Sequence, residues 1–127
     1  MFFLSIFIFS SSILISQNLS LEKLNSNLGA SFRGLDVINK KVVWVSGTQG
    51  TVLKTNDGGS TWKDVSVPNN TETDFRDIEA FDDKIAIVMG ISTPARFYKT
   101  NDGGKSWDLV YFNENKEVFF DGMSFWN

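Results

Sequence analysis

The stretch KTNDGGSTW, Lys54 to Trp62, returns 45 residues later as KTNDGGKSW, Lys99 to Trp107. Working upstream, SFRGLDVINKKVVWVSG (Ser31 to Gly47) matches DFRDIEAFDDKIAIVMG (Asp74 to Gly90) at an offset of 43 residues. That alignment pairs Phe32 with Phe75, Arg33 with Arg76, Leu35 with Ile78, Asp36 with Glu79 and Gly47 with Gly90. The two extra residues fall in Ile91 to Ala95, where Pro94 marks a loop. Downstream, FDGMSFWN opens a third copy, with Phe120, Met123 and Trp126 standing 45 residues after Phe75, Ile78 and Phe81. The chain therefore carries two full units and the first strand of another, a period that belongs to repeat architectures.

Each unit resolves into short apolar runs separated by turn residues. In the first copy these are Arg33–Ile38, Val42–Ser46, Thr51–Lys54 and Thr61–Val65, rich in Val, Ile, Phe and Trp and broken by NK, GTQG and NDGG. This is hairpin punctuation, and nothing after the N-terminal apolar stretch reads as helix. Four antiparallel strands at 40–50 residues per unit predict an all-β chain, a β-propeller of four-stranded antiparallel blades. The expected layout is a linker and possible ring-closing outer strand over 17–30, a blade over 31–73, a second over 74–118 and the first strand of an incomplete next blade over 119–127. Two similar hairpins in one sandwich are the alternative, which does not require the period.

Composition narrows the chemistry. The 127 residues are 42% hydrophobic and 14% aromatic, enough to build a core, and hold neither Cys nor His. Disulfides, thiolate nucleophiles, Cys/His zinc sites and every Ser-His-Asp or Cys-His arrangement are thereby excluded. Twelve Lys and Arg are scattered among fifteen Asp and Glu, so no nucleic-acid footprint is visible. Residues Phe2 to Ser16 carry no charge, too short a run for the roughly 20 residues of a spanning helix. It reads as a signal peptide over 1–16, cleaved near Gln17, although no Lys or Arg follows Met1; an uncleaved anchor or a buried strand or helix is the alternative. The expectation is an exported protein, periplasmic, cell-envelope or secreted, with no membrane span after cleavage.

The repeated motif is a turn built from side chains. Its residues are Thr55, Asp57, Gly59 and Trp62 in one copy and Thr100, Asp102, Gly104 and Trp107 in the other. The Asp accepts hydrogen bonds from backbone N–H groups just beyond it, the glycines take positive φ, and the Trp folds its ring back under the loop. A calcium loop fits poorly, because the alternating Asp/Asn positions and terminal Glu of an EF-hand are missing, so no metal site is expected. These residues resemble the Asp-box, or bacterial neuraminidase repeat. The longer context, from about Ser31 to Asn127, is similar to the photosystem II stability/assembly factor family and its non-photosynthetic bacterial relatives. That resemblance implies a seven-bladed propeller, an exported location and a non-enzymatic role binding a partner protein. Some relatives carry an oxidoreductase label, yet no G-x-G-x-x-G follows a strand here, and no cofactor is expected. Seven blades need about 315 residues, so the chain is expected to be a fragment of a longer frame or to associate with others. Leu21–Asn25 is the candidate ring-closing strand, since Leu21 precedes Phe32 at nearly the distance by which Trp62 precedes Phe75.

In a blade the first strand lines the central channel. Arg33 and Arg76 begin that strand in successive repeats, with Asp36 and Glu79 three residues on, a charged array suited to a carboxylate, a peptide C-terminus or a sugar acid. The competing reading is that each Arg pairs with a neighbouring acid between blades. Trp44, Phe75, Phe81, Phe125 and Trp126 fall at apolar repeat positions and are expected to pack between blades in preference to forming a sugar-stacking platform. The expected partner is a protein or a small acidic ligand or glycan. The rival function is a sialidase-like glycoside hydrolase, for which Asp77 and Glu79 are candidate acids without a spacing that fixes a pair.

Overall fold

A computed structural model describes residues 29–126. The expected signal peptide and the candidate ring-closing segment Leu21–Asn25 lie outside the described residues. Eight strands follow in order: β1 Phe32–Val37, β2 Val43–Gly47, β3 Val52–Thr55, β4 Lys63–Asp64, β5 Phe75–Ala80, β6 Ala86–Gly90, β7 Ala95–Thr100 and β8 Asp108–Asn113. They form two four-stranded sheets, ordered β1-β2-β3-β4 and β5-β6-β7-β8, antiparallel throughout. These are propeller blades, and each expected strand of the first copy lies within two residues of the observed one.

The alternation of side chains along a strand decides which face of each sheet is apolar. In the first blade Leu35, Val45 and Leu53 stand in register on one face, while Asp36, Trp44 and Lys54 stand in register on the other. The Trp44 face meets the second blade. Trp44, Val52, Val65 and Val67 close on Phe75, Ile78, Ala80, Ala86, Val88 and Tyr98 to make one core between the sheets. Trp44 and Phe75 are wholly buried, and the Trp44 indole N–H donates to the Asp82 carbonyl at 3.1 Å. Lys54 stacks over the Trp44 ring, 4.8 Å from its centroid, and donates to the Asp83 carbonyl. Burial lowers its ammonium pKa. Two side chains of one blade thus grip the β5–β6 turn of the next.

The inner strands β1 and β5 run side by side. A Cβ on Gly34 would come within 2.8 Å of the Ile78 nitrogen, so only glycine lets the two backbones approach this closely. Asp36 bridges the same seam, its carboxylate accepting the Ala80 N–H at 2.6 Å.

Residues 114–126 form no strand. They lie instead against the second blade, where the Met123 N–H donates to Asp77 at 2.7 Å and Phe120 packs edge-on against Phe97 and Tyr111. Trp44 and Phe75 are core, as expected from their repeat positions, but Phe81, Phe125 and Trp126 are exposed. Phe81 and Phe125 meet edge-on, ring centroids 5.4 Å apart, and each keeps over two fifths of its surface exposed.

Candidate functional site

The two repeated turns close on themselves. The Thr55 hydroxyl accepts the Gly59 N–H at 2.9 Å and donates to Asp57 at 2.7 Å. Asp57 in turn accepts the N–H of Thr61 at 2.9 Å and its hydroxyl at 2.6 Å. Thr100, Asp102, Gly104 and Ser106 repeat the pattern in the second blade. The glycines that follow each Asp have φ between 73° and 92°, conformations that other residues rarely adopt. Hydrogen bonds to the ionised form, from the Thr61 hydroxyl first, lower the Asp57 pKa to about 2, and those of Ser106 do the same for Asp102. Each turn is also tied to the β1–β2 or β5–β6 turn of its own blade: Gly58 N–H donates to Lys41 and Gly103 N–H to Lys84, both at 2.9 Å. Carboxylates so fully engaged are structural, and the turns present no free acid.

Trp107 reaches from its turn to the neighbouring blade, its indole N–H donating to the Val65 carbonyl at 2.9 Å. Trp62, its counterpart, is half-buried. It lines a groove of about 270 Å³ on the open face of the first blade together with Phe32, Arg33, Gly34, Leu35, Val45 and Leu53.

The arginines owe their placement to the backbone. Along β1 the pairing with β2 jumps from Phe32↔Gly47 to Gly34↔Ser46, leaving Arg33 as the extra residue of a β-bulge. Along β5 it jumps from Phe75↔Gly90 to Asp77↔Met89, leaving Arg76 in the same position. A bulge releases one residue from the ladder and re-aims its side chain, and bulges gather beside binding sites. Arg33 is exposed and lines the groove; Arg76 is half-buried and forms an ion pair with Asp121.

The expected acidic partners stand elsewhere. Asp36 and Glu79 line a separate, polar hollow of about 430 Å³ with Phe81 and Phe125. Burial, then the nearby Asp36 and Asp77, raises the Glu79 pKa. Asp36 and Glu79 are therefore brought together with each other, and not with Arg33 or Arg76. Since Asp36 also holds the Ala80 N–H, its first duty is to join the inner strands. Among the described residues no three carboxylates converge on a point that could hold a metal ion.

Sequence reasoning passed over Tyr98. It is buried, its ring meets Phe75 edge-on at 6.1 Å, and its hydroxyl donates to Asn70 at 2.7 Å, tying β7 to the connection between the blades. Its counterpart in the first blade is Leu53, so the repeat itself carries no signal for this hydrogen bond.

The geometry can be set beside known proteins. The family model described as photosynthesis system II assembly factor YCF48 matches residues 15–125. A solved structure described as YCF48 bound to D1 peptide shares the fold, with a TM-score of 0.59 at 23% identity over 73% of this chain and 30% of that chain. YCF48 from Cyanidioschyzon merolae gives a TM-score of 0.52 at 28% identity over 65% of this chain and 27% of that one. The chain thus spans under a third of the length of these two relatives. No curated protein matches it. With blades of this topology and a family match across nearly its whole length, the chain belongs to the photosystem II assembly factor YCF48 family.

Proposed function

We propose that this chain is part of an exported, non-enzymatic propeller scaffold that binds a protein partner, and that Arg33 and Arg76 anchor a carboxylate of that partner. The observation that carries this reading is the shared bulge: successive blades release the same residue type from the ladder at the same place on the inner strand, with Arg33 open to solvent and Arg76 held by Asp121. Arginine's planar fork suits bidentate recognition of a carboxylate, whether a peptide C-terminus or an acidic side chain. A relative described as bound to a D1 peptide supports a peptide partner. The acids of the polar hollow lie apart from the arginines and leave Arg33 open to a ligand.

A D1 peptide with a free C-terminal carboxylate, titrated against the purified chain by fluorescence anisotropy, tests the reading. Arg33→Gln and Arg76→Gln should each weaken binding about ten- to hundredfold, in line with about 1.5–3 kcal/mol for a charged hydrogen bond. Binding should also weaken with salt. Wild-type affinity in both variants, or no binding at all, overturns the proposal.

A further inference from the structure

The bulge position of the inner strand carries Arg33 in the first unit and Arg76 in the second, and the third unit breaks the series. Asp121 stands 45 residues after Arg76, where a third arginine would complete it. That acid turns back on the second blade and pairs with the Arg76 guanidinium, the one ion pair among the described residues. Its neighbours hold it there. On one side the Phe120 ring packs edge-on against Phe97 at 5.0 Å and Tyr111 at 5.7 Å; on the other the Met123 N–H donates to the Asp77 carboxylate at 2.7 Å. Arg76 and Asp77 are consecutive on β5, so this one short segment engages both. Aspartate has a short side chain, and it reaches Arg76 because the main chain on either side of it is anchored.

We propose that Asp121 is an internal competitor for the partner's carboxylate at Arg76, so that Arg33 takes that carboxylate first and Arg76 engages it only as Asp121 gives way. The proposal rests on the reading of both arginines as carboxylate anchors. Competitor and ligand offer the same chemistry, a carboxylate oxygen accepting charge-assisted hydrogen bonds from a guanidinium. While Asp121 is in place its charge offsets that of Arg76 and repels a second anion approaching the same group. Arg33 is exposed and lines its groove among apolar side chains, with no acid among the lining residues. The pair is also weak enough to yield. With 39% of the Arg76 side chain and 68% of the Asp121 side chain exposed, solvent screens the attraction, and ion pairs of this kind contribute little to stability. A buried pair would close Arg76 to any ligand, whereas this one lowers the affinity of the position and leaves it usable.

Anisotropy titrations of the full chain with the D1 peptide bearing a free C-terminal carboxylate test it. Asp121→Asn keeps the size of the side chain and removes its charge, and should tighten binding about two- to fivefold, the range set by an exposed ion pair. Asp121→Ala should do the same, which guards against a new hydrogen bond from the asparagine amide. The gain should vanish in the Arg76→Gln background. Glu117→Gln, which removes one negative charge from an exposed position of the same segment, should leave the affinity unchanged. Binding by Asp121→Asn that is no tighter than wild type, while Arg33→Gln and Arg76→Gln weaken it, overturns the competitor and leaves the anchoring arginines standing. A gain that persists in Arg76→Gln, or that Glu117→Gln matches, is an effect of bulk charge and overturns it too. Absence of binding in wild type and Asp121→Asn alike overturns both readings.

Discussion

Asp57 and Asp102 each accept the N–H and the hydroxyl of the residue four positions on and the hydroxyl of the Thr two positions back, and this makes acid the natural probe of the turns. Both carboxyls ionise at lower pH in the folded chain, at about 2, than the ordinary 3.8 that applies when the chain unfolds. Their contribution to stability is complete above about pH 4 and is lost as the pH falls through about 2. Asp82, lowered by the N–H groups of Ile85 and Lys84, acts in the same sense; Glu79, raised by burial, acts in the opposite one. Thermal melts across this range should show an acid limb that becomes shallower in the Asp57→Asn, Asp102→Asn double variant. Identical limbs would mean that other groups control acid unfolding. The turn chemistry was legible at this scale because it is local: a Thr, an Asp and two glycines at fixed offsets specify their own hydrogen bonds.

At the scale of the element, the strands were legible from alternation and turn residues, whereas the bulges were not. A bulge is a mismatch in count between two paired strands, and neither strand alone records it. The only trace in the sequence was that Arg33 and Arg76 share a repeat position, which gave their placement on the inner strand but not the reason they leave the ladder. Glycine reports the same region more directly. Gly34 faces the Ile78 nitrogen and the Asp77 carbonyl carbon closely enough that a methyl group would force β1 away from β5. Gly34→Ala should therefore cost about 1–3 kcal/mol, the range for overpacking a tight interior, read as a lower denaturant midpoint. An unchanged midpoint would mean that the seam between inner strands yields freely. In the second blade Asp77 stands at the place of Gly34 and uses its carboxylate to hold Met123. The candidate site was legible only in part for a related reason. Spacing put acids three residues from arginines, but the bulge and the strand pleat sent Arg33 and Asp36 to different hollows, and Arg76 pairs with Asp121.

For the molecule as described, the two blades share one core, and neither sheet keeps its apolar face covered alone. They should unfold together, with far-UV circular dichroism and tryptophan fluorescence tracing one transition. Phe75→Ala, emptying the centre of that core, should lower the stability probed by both signals by about 3–5 kcal/mol. Two separated transitions would show that the blades are independent. This coupling was the least legible level, because repeat spacing gives the blades but not which partners Trp44, Lys54 and Tyr98 find across the seam. The outer strands differ in a way that reaches beyond the fold. β4 has only two residues and is soon followed by Pro68, while β8 runs for six and exposes Leu109, Val110 and Phe112 at the margin of its sheet. A long apolar margin of unpaired amides is a template for strands of other molecules, so among the described strands β8 is a place where aggregation would nucleate, and a lysine placed at Val110 would suppress it there.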